Sequence, residues 1–355
     1  LAARNTQLDG WRAFAVLGVM WQHWTPATWR GKIPFEIGLF FFLTLTGFLI
    51  ARILLKDRHV GENTGSPWRL AAYKNFLKRR MVRILIPCYA AMLFAIVVQA
   101  PDILHHPLPY LAHYSNFHMA FLPAWPSGTA HYWTLGLQMQ FYLFFPLLMF
   151  LVPRRALPGV LLLFILIAPL SRWIMLQFFP QVIHSEAITP SAFDYFGMGA
   201  LLAVAMERGM KAGDKRVMMA SVLAFASYLM VRGCEEFATP LPVLRYFQQT
   251  LVSISFAGLI SSTLAGFRGG MGRLLDHPAV QHIGKISYGL YLFHTPVPLL
   301  LGFVLPWLWH PVITGPWVAV RLLACFLTAW GLAWLSWRYL EKGISGRAAG
   351  GPSDR

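Results

Sequence analysis

The stretch Phe40-Phe41-Phe42-Leu43-Thr44-Leu45-Thr46-Gly47-Phe48-Leu49-Ile50 contains no ionisable side chain and lies inside an apolar run over 35–56. A helix of about 20 mostly apolar residues crosses the hydrocarbon core of a bilayer, and this run has that length. Working outward from it, nine further runs meet the same criterion, with rough limits 8–26, 83–101, 131–152, 157–178, 191–208, 215–232, 246–267, 286–305 and 314–340. An open sheet would leave backbone groups unpaired in hydrocarbon. The expected fold is therefore all-α: a polytopic transmembrane bundle of about ten helices over 1–345, followed by a mobile cytoplasmic tail over 346–355.

Composition agrees. The chain is 57% hydrophobic and 12% charged, and a soluble domain carries roughly 25% charge. Its 30 Lys+Arg against 14 Asp+Glu give a net charge of +16. The basic residues gather in alternate connections, which is the mark of membrane orientation. With no nucleic-acid motif beside them, no nucleic-acid partner is expected. Lys56, Arg58, Arg69, Lys74, Lys78, Arg79 and Arg80 follow the second run, whereas 102–130 holds no Lys or Arg. Arg154 and Arg155 come next, then 179–190 with none, then Arg208, Lys211, Lys215 and Arg216. This alternation puts both termini in the cytoplasm and 102–130 outside, as an interfacial lid. Arg30, Lys32, Arg232 and Arg245 fall on the outer side and are too few to invert it. The first run holds Asp9, Arg12, Gln22 and His23 and lacks a small-x-small exit, so it reads as a retained helix. Cys88, Cys234 and Cys325 have neither disulfide nor metal-ligand spacing.

Ionisable groups inside spans are costly and point to function. Asp9 and Arg12 stand at i, i+3 and can pair on one face. From Arg12 to His23 the helix turns roughly 1100° and rises about 16 Å. The two share a face without touching, an arrangement that suits a long anionic ligand whose reactive end meets the imidazole. Arg80 and Arg83 also share a face. By composition alone they are topological anchors, although arginine forks suit phosphate oxygens. His131, Gln138 and Tyr142 make one polar stripe, readable as cavity wall or as helix glue, with Trp133 beside it. Ser287, Tyr291 and His294 make another, in which His294 either takes part in chemistry or braces a kink at Pro296. His105, His106, His113 and His118 cluster in the lid without carboxylates at metal spacing, so no metal is expected. Arg172 and Asp194 are placed to pair at the outer ends of adjacent spans. A polar track of this kind also suits a glycan or lipid exporter, or a membrane assembly partner without catalysis.

These stretches in their order resemble the acyltransferase-3 family of integral membrane O-acyltransferases. Leu8-Asp9-Gly10-Trp11-Arg12 with His23 is similar to its first-helix motif, and Phe40–Ile50 to its second, with Thr46 where Ser is usual. Arg80-Met81-Val82-Arg83 matches its RxxR signature. Trp133-Thr134-Leu135 through Phe141-Tyr142-Leu143 to Pro146 resembles its fourth-helix segment, with Gln138 where Glu is usual. Ser287-Tyr288 through His294, and Arg338-Tyr339-Leu340-Glu341-Lys342, are similar to its last two helices. The resemblance implies transfer of an acyl group, usually acetyl, from cytoplasmic acyl-CoA to a hydroxyl of an extracytoplasmic or lipid-linked glycan. The expected location is the bacterial inner membrane. It also implies His23 as general base, Arg12 with its partner Asp9 guiding or holding the donor, and Arg80 and Arg83 on the CoA phosphates. Trp133, Gln138, Tyr142, Ser287, Tyr291 and His294 are the expected walls of the substrate cavity. Direct transfer and an acyl-enzyme both stay open at this point.

Overall fold

The computed structural model describes residues 5–26, 30, 34–64, 67–237, 243–309 and 315–342. Among them there are helices and turns and no strand. The expected tail over 346–355 and Lys32 lie outside the described residues.

The main helices are α1 (Thr6–Trp24), α2 (Ile37–Asn63) and α3 (Trp68–Val97), then three short ones, α4 (Pro101–His105), α5 (Pro107–Leu111) and α6 (Ser115–Ala120). There follow α7 (Tyr132–Leu151), α8 (Leu157–Phe178), α9 (Phe193–Glu207), α10 (Lys215–Phe237), α11 (Gln248–Ala265) and α12 (Gly269–Leu275). The last are α13 (Pro278–Phe293), α14 (Val297–Val304) and α15 (Pro316–Ser336), which runs into a π-helical turn, Trp337–Glu341. Six of these helices are long and apolar enough to cross a membrane alone, and eight spans result if each bent pair is one crossing. The sequence count of about ten also includes α1 and α9, which fall outside those eight. Polar and charged residues dilute α1. The 15 residues of α9 rise only about 22 Å.

The third span starts earlier than its apolar run, because α3 carries its basic stretch as helix from Trp68 onward. The run over 286–305 is broken. α13 ends at Phe293, α14 begins at Val297, and the two axes differ by 69°. Pro296 supplies no N–H to continue the helix, which explains the break at the expected position.

Close helix approach is set by small residues, as is usual where lipid removes the hydrophobic drive between helices. A Cβ on Gly199 of α9 would sit 2.0 Å from the Thr44 carbonyl oxygen of α2, and one on Gly47 would sit 2.1 Å from that of Phe196. α1 meets α13 in the same way, with a Cβ on Gly284 reaching 2.0 Å from the Asp9 carbonyl oxygen. The buried Arg172 joins α8 to α9 and α11. It donates to Asp194 Oδ2 at 2.8 Å, to the Ser191 carbonyl at 2.6 Å and to the Tyr246 carbonyl at 3.0 Å.

The connection over 102–130 is more ordered than a lid with a single helix. Tyr110 is buried and donates to Asp102, which His118 Nε2 also meets at 3.0 Å, and Thr129 lies 3.0 Å from the same phenol. Burial, then the bond to Asp102, pushes the Tyr110 hydroxyl above its ordinary range. Burial pulls the His113 imidazole below its own.

Candidate active site

α1 and α13 run parallel, since Asp9 lies against Gly284 near their starts and His23 against His294 near their ends. Between them, α2, α3, α7 and the π turn enclose a cavity of about 640 Å³. Its cations come from four directions: Arg12 on α1, Arg80 and Arg83 on α3, Lys285 on α13, and Lys342 just past the π turn. One carboxylate, Glu341, shares the lining. Arg12 is held from beneath by Asp9, NH1 to Oδ1 at 2.9 Å, with the Asp9 side chain 7% exposed. Such a concentration of positive charge around one enclosed volume suits a ligand carrying several phosphates.

Gln138, Tyr142, Ser287 and Tyr291 line the same cavity. Tyr142 donates to Gln138 Oε1 at 3.4 Å, so two of the three stripe residues are cavity wall and His131 is not. The neighbouring Gln140 is the glue. It donates to Asn116 Oδ1 at 2.9 Å and accepts from Thr189. The Tyr291 hydroxyl lies 2.6 Å from Thr134 Oγ1 and 3.2 Å from the His131 carbonyl oxygen.

Beyond Tyr291 stand two stacked imidazoles. His23 Nδ1 lies 2.7 Å from His294 Nε2, and their ring planes differ by 12°. The protonation pattern follows from the partners. His294 Nδ1 faces the Tyr291 carbonyl at 2.6 Å, and a carbonyl only accepts. His294 Nδ1 therefore carries a proton, and in the neutral ring Nε2 is an acceptor. His23 Nδ1–H donates to it, which leaves the lone pair of His23 at Nε2. His294 is fully buried and its carbonyl accepts from Trp24 Nε1 at 2.8 Å, whereas the His23 side chain is exposed. His294 thus ties the end of α13 to α1 through its carbonyl and meets His23 through its ring.

Of the expected site residues, Arg12, Arg80, Arg83, Gln138, Tyr142, Ser287 and Tyr291 line the one cavity. His23, His294 and Asp9 lie just outside its lining. Trp133 is set apart from it, packed on Trp125 with ring centroids 5.6 Å apart. Lys285, Trp337, Glu341 and Lys342 join the lining without having been singled out as site residues. His131 is a third imidazole, 5.2 Å from His294 between centroids and hydrogen-bonded through Nδ1 to Thr295. Its place in the polar stripe of α7 was the available signal.

The fold and this site define an integral membrane protein whose helices surround a cation-lined cavity leading to a histidine pair. The chain belongs to the acyltransferase-3 family, whose acyltransferase domain matches residues 5–337. It is 27% identical to the peptidoglycan O-acetyltransferase OatA of Listeria monocytogenes, over 95% of this chain and 55% of that protein. It is also 27% identical to a candidate peptidoglycan O-acetyltransferase, YrhL, of Bacillus subtilis, over 95% of this chain and 54% of that protein. Identity to the O-acetyltransferase OatA of Staphylococcus aureus is 24%, over 95% of this chain and 56% of that protein. The chain spans about half the length of these curated relatives. No solved structure matches it.

Proposed function

We propose that the protein transfers an acyl group, acetyl in the first instance, from cytoplasmic acyl-CoA to a hydroxyl of an extracytoplasmic or lipid-linked glycan in the bacterial inner membrane. The observation that carries this reading is the polarity of the site: five cations around one cavity, with an oriented imidazole pair next to its lining residue Tyr291. The cations take the donor phosphates. The acyl end passes Tyr291 toward His23. The named relatives make peptidoglycan sugars the first acceptors to try.

In the reaction, His23 Nε2 takes the proton of the acceptor hydroxyl as its oxygen attacks the thioester carbonyl. The C–S bond breaks, and the leaving thiolate takes the proton back from His23 as CoA–SH. General-base catalysis of this kind contributes about 10²–10⁴-fold. While His23 is an imidazolium, its Nδ1–H still points at a neutral His294, so the charge has an acceptor beside it. The deciding experiment incubates detergent-purified protein with acetyl-labelled acetyl-CoA and candidate glycans. Label on the glycan supports the proposal, and a glycan left unlabelled by protein that binds acetyl-CoA counts against acyl transfer to it.

A further inference from the structure

Hydroxyls buried in helices ordinarily bond a carbonyl of the preceding turn. This chain does so repeatedly. Thr44 donates to the Phe40 carbonyl at 2.9 Å, Ser255 to that of Leu251 at 2.8 Å and Thr263 to that of Leu259 at 2.6 Å. Ser287 behaves differently. It is fully buried, its Oγ has no hydrogen-bond partner, and it lines the cavity. Rotation of α13 cannot rescue it. Gly284 clamps that helix against Asp9 of α1, and a Cβ on Gly289 would sit 2.9 Å from Ala333 Cα of α15. The residue lies on the cavity wall, about 6 Å along the helix from Tyr291.

We propose that Ser287 is a specificity residue that reads the uncharged, amide-bearing arm of a CoA-type donor; this rests on the acyl-CoA reading above. A hydroxyl both donates and accepts, so it can meet either the N–H or the C=O of an arm amide. The cations meet the anionic head, and Ser287 stands between them and the His23–His294 pair, where such an arm has to pass. An anionic lipid would satisfy the cations equally well. Its hydrocarbon chain would leave the hydroxyl unmet, and a site built around a hydrogen bond discriminates against a ligand that lacks one.

The test is Ser287→Ala in the full chain, measuring the affinity for CoA, the affinity for 3′-phosphoadenosine 5′-diphosphate (the head without the arm), and the melting temperature. The substitution removes one unpartnered oxygen and changes no packing. We expect CoA to bind about three- to tenfold more weakly, the change of one neutral hydrogen bond, with the head-only probe unchanged and the melting temperature equal or higher. Equal CoA affinity in the variant and the parent protein would overturn the proposal. So would an equal weakening of both probes together with a lower melting temperature, which marks a structural hydroxyl. A parent protein that binds neither probe would instead remove the acyl-CoA reading, and this inference with it.

Discussion

At the residue scale the proposed chemistry turns on one nitrogen, His23 Nε2, whose ring is oriented by a chain of hydrogen bonds that ends on the Tyr291 carbonyl. Replacing His23 by Ala or Gln is expected to abolish transfer while leaving CoA affinity and folding nearly intact, because neither removes a charge pair. Gln keeps a hydrogen bond but carries no proton, so an active Gln variant would end the base role. His294→Ala is expected to lower both transfer and melting temperature, since it removes a fully buried ring from the bend before Pro296. Arg80→Ala and Arg83→Ala are each expected to weaken CoA binding about tenfold or more, the loss of a charge-assisted contact. Lys should restore it only in part, because it lacks the fork. Unchanged affinity in both Ala variants would return these residues to topological anchors. The sequence made His23 and His294 separately legible as polar groups in apolar runs. Their pairing was hidden, because nothing in a linear pattern brings together residues on two helices at opposite ends of the chain.

At the element scale the apolar runs were readable because hydrocarbon imposes length and continuity on each helix. Departures arise where backbone geometry changes locally. The π turn over Trp337–Glu341 brings Trp337, Glu341 and the adjoining Lys342 to the cavity lining, and a 3.6-residue pattern does not announce a π turn. The break before Pro296 was legible from the proline alone, and the 69° bend is its consequence. The pair between Arg172 and Asp194 was legible as two opposite charges at neighbouring helix ends. Its burial, with side chains 3% and 0% exposed, makes it a strong test of how α8, α9 and α11 are held. Arg172→Met alone should destabilise the protein by about 3–5 kcal/mol, because Asp194 is left buried without its partner. The double variant Arg172→Met with Asp194→Asn should lose less than the sum of the single changes. Additive losses in thermal or denaturant unfolding would show that the two groups act independently.

At the scale of the whole molecule, function and topology are linked through the parallel run of α1 and α13. The cations and the histidine pair occupy successive levels of one pair of helices, so the direction of insertion decides which compartment supplies the donor. In the topology we propose from the basic connections after the second, fourth and sixth runs, set against the Lys- and Arg-free stretches 102–130 and 179–190, the starts of α1 and α13 face the cytoplasm. With that topology, the end proposed to hold the donor phosphates meets the compartment of acyl-CoA, and the His23 end faces the proposed glycan acceptor. The helices α4–α6, tied together by Tyr110, Asp102 and His118, then cap the outer side. A reporter active only outside the cytoplasm, fused near residue 120, is expected to give signal, and the same reporter near residue 65 is expected to be silent. Labelling of single cysteines at these two positions in intact cells gives an independent reading with a membrane-impermeant reagent. The reverse pattern in both assays would put the cation cluster on the outer side, away from any cytoplasmic thioester. The proposed donor would then have to be replaced by an extracytoplasmic anion, even if every residue of the site were placed correctly.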